Sequence, residues 1–141
     1  MNEKVPDNRA FVLHRYFISA HLMRREFERE LARDVNTPTG LSIEGYAFLS
    51  LWYAALYVTV EGWKQNEFSD PVVDSLLTDE TKLNLLRIYR NSIFHFQPDY
   101  WPAKKIGFLK GSETAIWVRE LHDAVGNSLL ERLPYVLHSG R

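Results

Sequence analysis

An all-α fold, an antiparallel four-helix bundle, is predicted by three observations. Apolar residues recur at three- and four-residue steps through four long segments, clusters of glycine and proline divide those segments, and no stretch alternates convincingly with period two. At 141 residues the chain is read as a single domain, 1–141, able to bury one core but without room for a second.

The first segment runs from about Asn8 to Asp34, with Asp7 as its cap and Tyr16, Ala20, Met23, Phe27 and Leu31 as its inward stripe. Arg24, Arg25, Glu28, Arg29 and Arg33 form a mixed charged side, read as a solvated face. A turn over Asn36-Thr37-Pro38-Thr39-Gly40 precedes Ser42, which caps a second helix reaching about Lys64. Aromatic and small residues cover that helix nearly all round, so it is central in a bundle or shared between a core and a subunit interface. Asp70-Pro71 opens a short helical turn through Leu77. Thr78 is expected to cap a third long helix, Asp79 to Phe96, with Asp79 and Glu80 in its first turn and Pro98 just beyond its end. After a connection from Gln97 to Gly111, Ser112 caps a fourth helix to about Arg132. Its inward stripe is Ala115, Val118, Leu121, Val125, Leu129 and Leu133, and Pro134 closes it. Ile106-Gly107-Phe108-Leu109 could pair locally as a strand.

Charge is nearly balanced, 17 Lys and Arg against 18 Asp and Glu, so any basic footprint is local. The absence of cysteine excludes disulfides, thiolate metal sites and thiol nucleophiles, and suits a reducing, cytoplasmic setting. Met1 to Asp7 lacks an apolar signal core. The longest uncharged run, Tyr46 to Val60, is 15 residues, short of the roughly 20 of a spanning helix. A buried core helix is expected there, and no membrane partner.

The third helix carries the most chemistry, in the run Arg90-Asn91-Ser92-Ile93-Phe94-His95. Projected at about 100° per residue, Arg87, Asn91, Asn84, His95 and Arg90 share roughly 140° of arc, and Leu85, Leu86, Ile88, Tyr89, Ile93 and Phe96 fill the opposite, core-facing arc. Arginine offers a permanently charged fork that fits two phosphate oxygens, and histidine exchanges a proton near neutral pH. Leu83 and Phe94 fall inside the polar arc, where a monomer would leave them wet. They are expected to meet a second copy of the chain in a homodimer, because soluble oligomers are mostly two-fold.

An arginine, a polar neighbour, and a histidine five positions after the arginine near a helix end, in a small all-helical chain, resemble the HEPN superfamily, many of whose prokaryotic members are toxin or defence ribonucleases. The motif carries over as Arg90, Asn91 and His95. The bare spacing also occurs at Arg9/His14, Arg15/His21 and Arg132/His138, and the copy at Arg90 is set apart by Asn91, the proline stop and the segregated stripe. The resemblance implies metal-independent RNA cleavage with no cofactor. His95 would be general base or acid, Arg90 would stabilise the phosphorane, and Asn91 would bind phosphate or fix His95. RNA is the implied substrate and an antitoxin protein a partner. The alternative is a non-catalytic homodimeric helical module that binds nucleotide, RNA or a partner protein.

Supporting positions follow from the pattern. Glu61 ends the apolar run of the second helix, and Arg90 or Arg87 is the kind of partner a half-buried carboxylate needs; a helix-end residue reaching solvent is the other reading. Tyr100, Trp101, Lys104 and Lys105 offer ring faces and charge for unpaired bases, while Pro98 and Pro102 favour a rigid plug on the bundle end. His14 and His21, seven apart, are separated by a rise of about 10 Å, too long for one metal ion. Glu120 and His122 point away from one another, and no spacing reads as a metal site. Trp52, Tyr53, Tyr57 and Trp63 suggest a small-molecule pocket, although core packing accounts for them more simply.

Overall fold

The structure, a computed structural model, describes residues 8–33, 42–96 and 112–133. Among these residues there are five helices and no strand: α1 (Asn8–Arg33), α2 (Ile43–Gln65), α3 (Pro71–Leu76), α4 (Glu80–Phe94) and α5 (Ser112–Glu131). The strand considered at Ile106–Leu109 lies outside them.

Local signals account for most helix starts. Ser42 accepts from the Gly45 N–H at 3.0 Å, and Asp70 accepts from Val72 and Val73 at the start of α3, where Pro71 has no N–H to satisfy. The start of α4 corrects the expected cap. Asp79 is the N-cap and accepts from Lys82 N–H at 3.2 Å, whereas the Thr78 hydroxyl donates back to Ser75 O and belongs to the end of α3. The Lys82 N–H is also the main reason the Asp79 carboxyl is held below its ordinary range.

α2 is the central element, packed on α1 along one flank and on α4 along another, while α5 packs on α1 and α3. Leu13 meets Gly62, and Phe27 meets Trp52, so α1 and α2 run antiparallel. Phe17 lies over Gly126, and Arg24 pairs with Asp123, so α1 and α5 do the same. The core joins Trp52, Leu56, Val60 and Trp63 of α2 to Leu86 and Tyr89 of α4 and to Val118, Leu121, Val125 and Leu129 of α5. Each fully buried aliphatic side chain among them contributes about 1.5–3 kcal/mol relative to exposure. By length and composition α2 could cross a membrane, but 56% of its qualifying window is buried inside this fold. Its apolarity is used in packing.

Two helices, α1 and α4, differ from expectation. On α1 the buried stripe is Ala10, Leu13, Phe17, Ala20 and Phe27, with Tyr16 and Leu31 exposed. Arg24, expected on the solvated face, is instead turned inward and keeps only 16% of its side chain exposed. α4 stops at Phe94: His95 is its C-cap in an extended conformation (φ −129°, ψ 129°), and Phe96, expected in the core, is 94% exposed. A helix continued to Pro98 would set the proline ring against the Phe94 carbonyl. Leu83, expected to be wet, is partly buried against the core, while Phe94 remains 61% exposed.

Candidate functional site

Tyr57 and Glu61 stand four residues apart on α2 and so share a face. α4 is docked beside them through an edge-on contact of Tyr53 with Tyr89, ring centroids 5.1 Å apart. Arg90 of α4 then reaches over α2. Its NH1 donates to Glu61 Oε1 at 2.7 Å, its Nε donates to Asn91 Oδ1 at 2.9 Å, and its guanidinium lies 5.1 Å from the Tyr57 ring centroid. Burial holds the Tyr53 and Tyr89 phenols neutral by pushing both above their ordinary range.

The Arg90 side chain is 28% exposed and that of Glu61 37%, so water screens the pair and its contribution to stability is about 0.5–1 kcal/mol. Its value is positional. Carboxylate, amide and ring fix the guanidinium on three sides, and of its five N–H groups three make no hydrogen bond among the described residues.

His95 is joined to this set through the backbone. Its N–H donates to the Asn91 carbonyl at 3.0 Å, while the Asn91 side chain holds Arg90. The His95 side chain is exposed. Arg87 stands apart, with Nε and NH2 both on Asn84 Oδ1 at 3.1 and 2.6 Å, and does not join Glu61. Tyr100, Trp101, Lys104 and Lys105 lie outside the described residues. Trp52, Tyr53 and Trp63 are core side chains, which leaves Tyr57 as the one ring of that group engaged with the site.

A second polar cluster crosses the α1–α5 seam. Trp52 Nε1 donates to His122 Nδ1 at 3.0 Å, and His122 Nε2 lies 3.2 Å from His21 Nδ1. An indole N–H only donates, so His122 must accept at Nδ1 and, when neutral, carry its proton on Nε2, where it donates to His21. His122 is 1% exposed and packs on Phe17 with ring centroids 4.7 Å apart. Burial, then the nearby Arg24 and His21, pushes its pKa down to about 3. His14, on the other side of Phe17, is lowered by burial and then by His21. Arg24 closes the seam: it pairs with Asp123 at 2.8 Å and Glu28 at 3.2 Å, and lies 5.4 Å from the Trp52 ring centroid.

Of the two partners the sequence offers Glu61, Arg90 is the one in contact, while the pattern points to Tyr57 only as one ring of a small-molecule pocket and to His122 only as a residue turned away from Glu120. The Tyr57/Glu61 spacing was available as a signal. His122 gave none, because its partners come from α1 and α2, 101 and 70 residues away along the chain. No protein family, curated protein or solved structure matches the chain.

Proposed function

We propose that the chain is a small homodimeric ribonuclease of the HEPN kind, an antiparallel four-helix bundle that cleaves RNA without a metal ion in a cytoplasmic toxin or defence setting. One observation carries the reading. A guanidinium with three N–H groups that are uncommitted among the described residues is clamped by Glu61, Asn91 and Tyr57, on the same helix end as a solvent-accessible histidine.

In the reaction the RNA 2′-hydroxyl attacks the neighbouring phosphorus, forming the O2′–P bond as the P–O5′ bond breaks. His95 takes the 2′ proton or supplies one to the leaving 5′ oxygen, and Arg90 balances the charge that builds on the phosphoryl oxygens. The products are a 2′,3′-cyclic phosphate and a 5′-hydroxyl, so DNA survives. Most of the acceleration comes from positioning and charge stabilisation, which the clamp supplies. The exposed Phe94 beside this site is where a second copy docks and brings two sites together. An antitoxin protein would act by covering the same face.

RNA cleavage in EDTA by the native chain, Arg90→Ala and His95→Ala tests the proposal. The native chain should cleave, and each variant should lose about a hundredfold or more. Equal activity in all three, or none in any, refutes it, and a strictly monomeric mass in size exclusion removes the two-chain arrangement. A non-catalytic dimerisation or binding module is the second reading, favoured by the fact that Glu61 already neutralises Arg90. On that reading Arg90→Ala weakens the dimer and changes no RNA.

A further inference from the structure

A cavity of about 320 Å³ opens between the first half of α1 and the last turns of α2, with Val12, Tyr16, Val58, Glu61, Gly62 and Gln65 among its walls. It lies next to the Arg90 clamp, because Glu61 is shared: the carboxylate that accepts from Arg90 also borders the cavity. Gly62 lets the two helices close tightly under it, since a Cβ there would stand 2.6 Å from Leu13 Cδ1. The floor is therefore helix packing, and the opening lies above it, where Val12 and Tyr16 are about half exposed.

The chemistry of the walls selects a ligand. Val12, Val58 and the Tyr16 ring offer apolar and π surface to a flat group, and the volume falls at the lower end of ligand sites. Among the described residues Glu61 is the one charged side chain in the lining, so a phosphate is repelled from the interior and held outside by Arg90. A carboxylate accepts only, and one of its roughly four acceptor positions is used by Arg90. A ring that presents adjacent N–H donors is the complementary partner. The Gln65 amide, which makes no hydrogen bond among the described residues, can donate to a ring carbonyl and accept from an N–H.

We infer that this cleft seats a guanine base, stacked on Tyr16 with its N1–H and N2–H edge toward Glu61, of the nucleotide whose phosphate Arg90 holds. The inference rests on Arg90 being a phosphate site, and it makes the α1–α2 cleft the base-selecting part of the ribonuclease proposed above. Adenine, which lacks the paired donors, and the smaller pyrimidines fit less well.

Two measurements test it, one of which needs no cleavage. Titration of the native chain with GMP, AMP, UMP and CMP, followed by two-dimensional NMR, should shift the Val12 and Val58 methyl signals with GMP, which should bind about tenfold or more tightly than UMP or CMP. Tyr16→Ala and Gln65→Ala should each remove most of that preference. In parallel, oligoribonucleotides with one guanine should be cut beside it by the native chain and without base preference by Tyr16→Ala. Cleavage that ignores base identity and is unmoved by Tyr16→Ala overturns the cleft assignment and leaves the nuclease standing. Tyr16-dependent GMP binding without any cleavage upholds the cleft and overturns the nuclease. GMP shifts that persist in both variants place the nucleotide elsewhere and refute the assignment.

Discussion

His122→Phe should convert a pH-sensitive fold into a flatter one. Phenylalanine keeps the ring volume that packs on Phe17 and Trp52 but removes the acceptor at Nδ1. At pH 7 the Trp52 N–H is then buried without its partner, which costs about 1–3 kcal/mol. The effect of acid runs the other way. In the folded chain His122 titrates at about 3, against 6.5 when unfolded, so between those values the unfolded chain binds the extra proton and native stability falls as pH falls. Integrated from pH 7 to pH 5, this one group removes about 2 kcal/mol, and the loss is complete only when pH passes below about 3. The phenylalanine variant lacks that term. It should be clearly less stable than the native chain at pH 7 and nearly equal to it at pH 5, while the His14 contribution, of the same sign, persists in both. Urea unfolding followed by tryptophan fluorescence at pH 7, 6 and 5 measures the gap. A difference that stays constant across that range would falsify the assignment of His122 as a buried neutral acceptor.

Two further substitutions probe the packing and the clamp. Gly126→Ala would place a Cβ 2.6 Å from Phe17 Cζ, inside the core, and should lower stability by about 1–3 kcal/mol despite the better helix propensity of alanine. Gly62→Ala meets the end of the Leu13 side chain instead, and thermal melts should rank it the milder of the two. Glu61→Gln keeps the shape of the clamp and removes its charge. Stability should change by no more than about 1 kcal/mol, whereas RNA cleavage should fall roughly tenfold to a hundredfold as Arg90 loses its fixed position. Unchanged cleavage would mean that Asn91 and Tyr57 suffice.

The helices were legible because their signals are local. Apolar periodicity marked α1, α2, α4 and α5, and Ser42 and Asp70 are caps whose oxygens reach N–H groups only two or three residues away. Of the α5 stripe, Val118, Leu121, Val125, Leu129 and Leu133 are buried and Ala115 is half-buried, while Trp117 and His122, outside that stripe, are buried too. The α1 stripe was displaced by one neighbouring row. Rows through Tyr16 or Phe17 both continue to Ala20 and Phe27, and only the position of α2 and α5 decides which row is covered. Arg24 shows the same limit, because its inward turn depends on Trp52 and Asp123 from two other helices.

The candidate site divides in the same way. Sequence by itself determined the all-helical class, the bounds of the helices to within a residue or two, and the placing of Arg90 and Asn91 near the end of one of them, because backbone hydrogen bonding and side-chain periodicity are set within a few residues. Tertiary structure decided that Glu61 and Tyr57 mount Arg90 while Arg87 goes to Asn84, and that His122 is buried against Trp52 and His21. Those contacts join positions 29 to 101 residues apart, apart from the Arg87 pair, and they exist only once the helices have chosen their faces. A carboxylate at the end of an apolar helix states a need for a partner. Which arginine meets that need is a matter of packing.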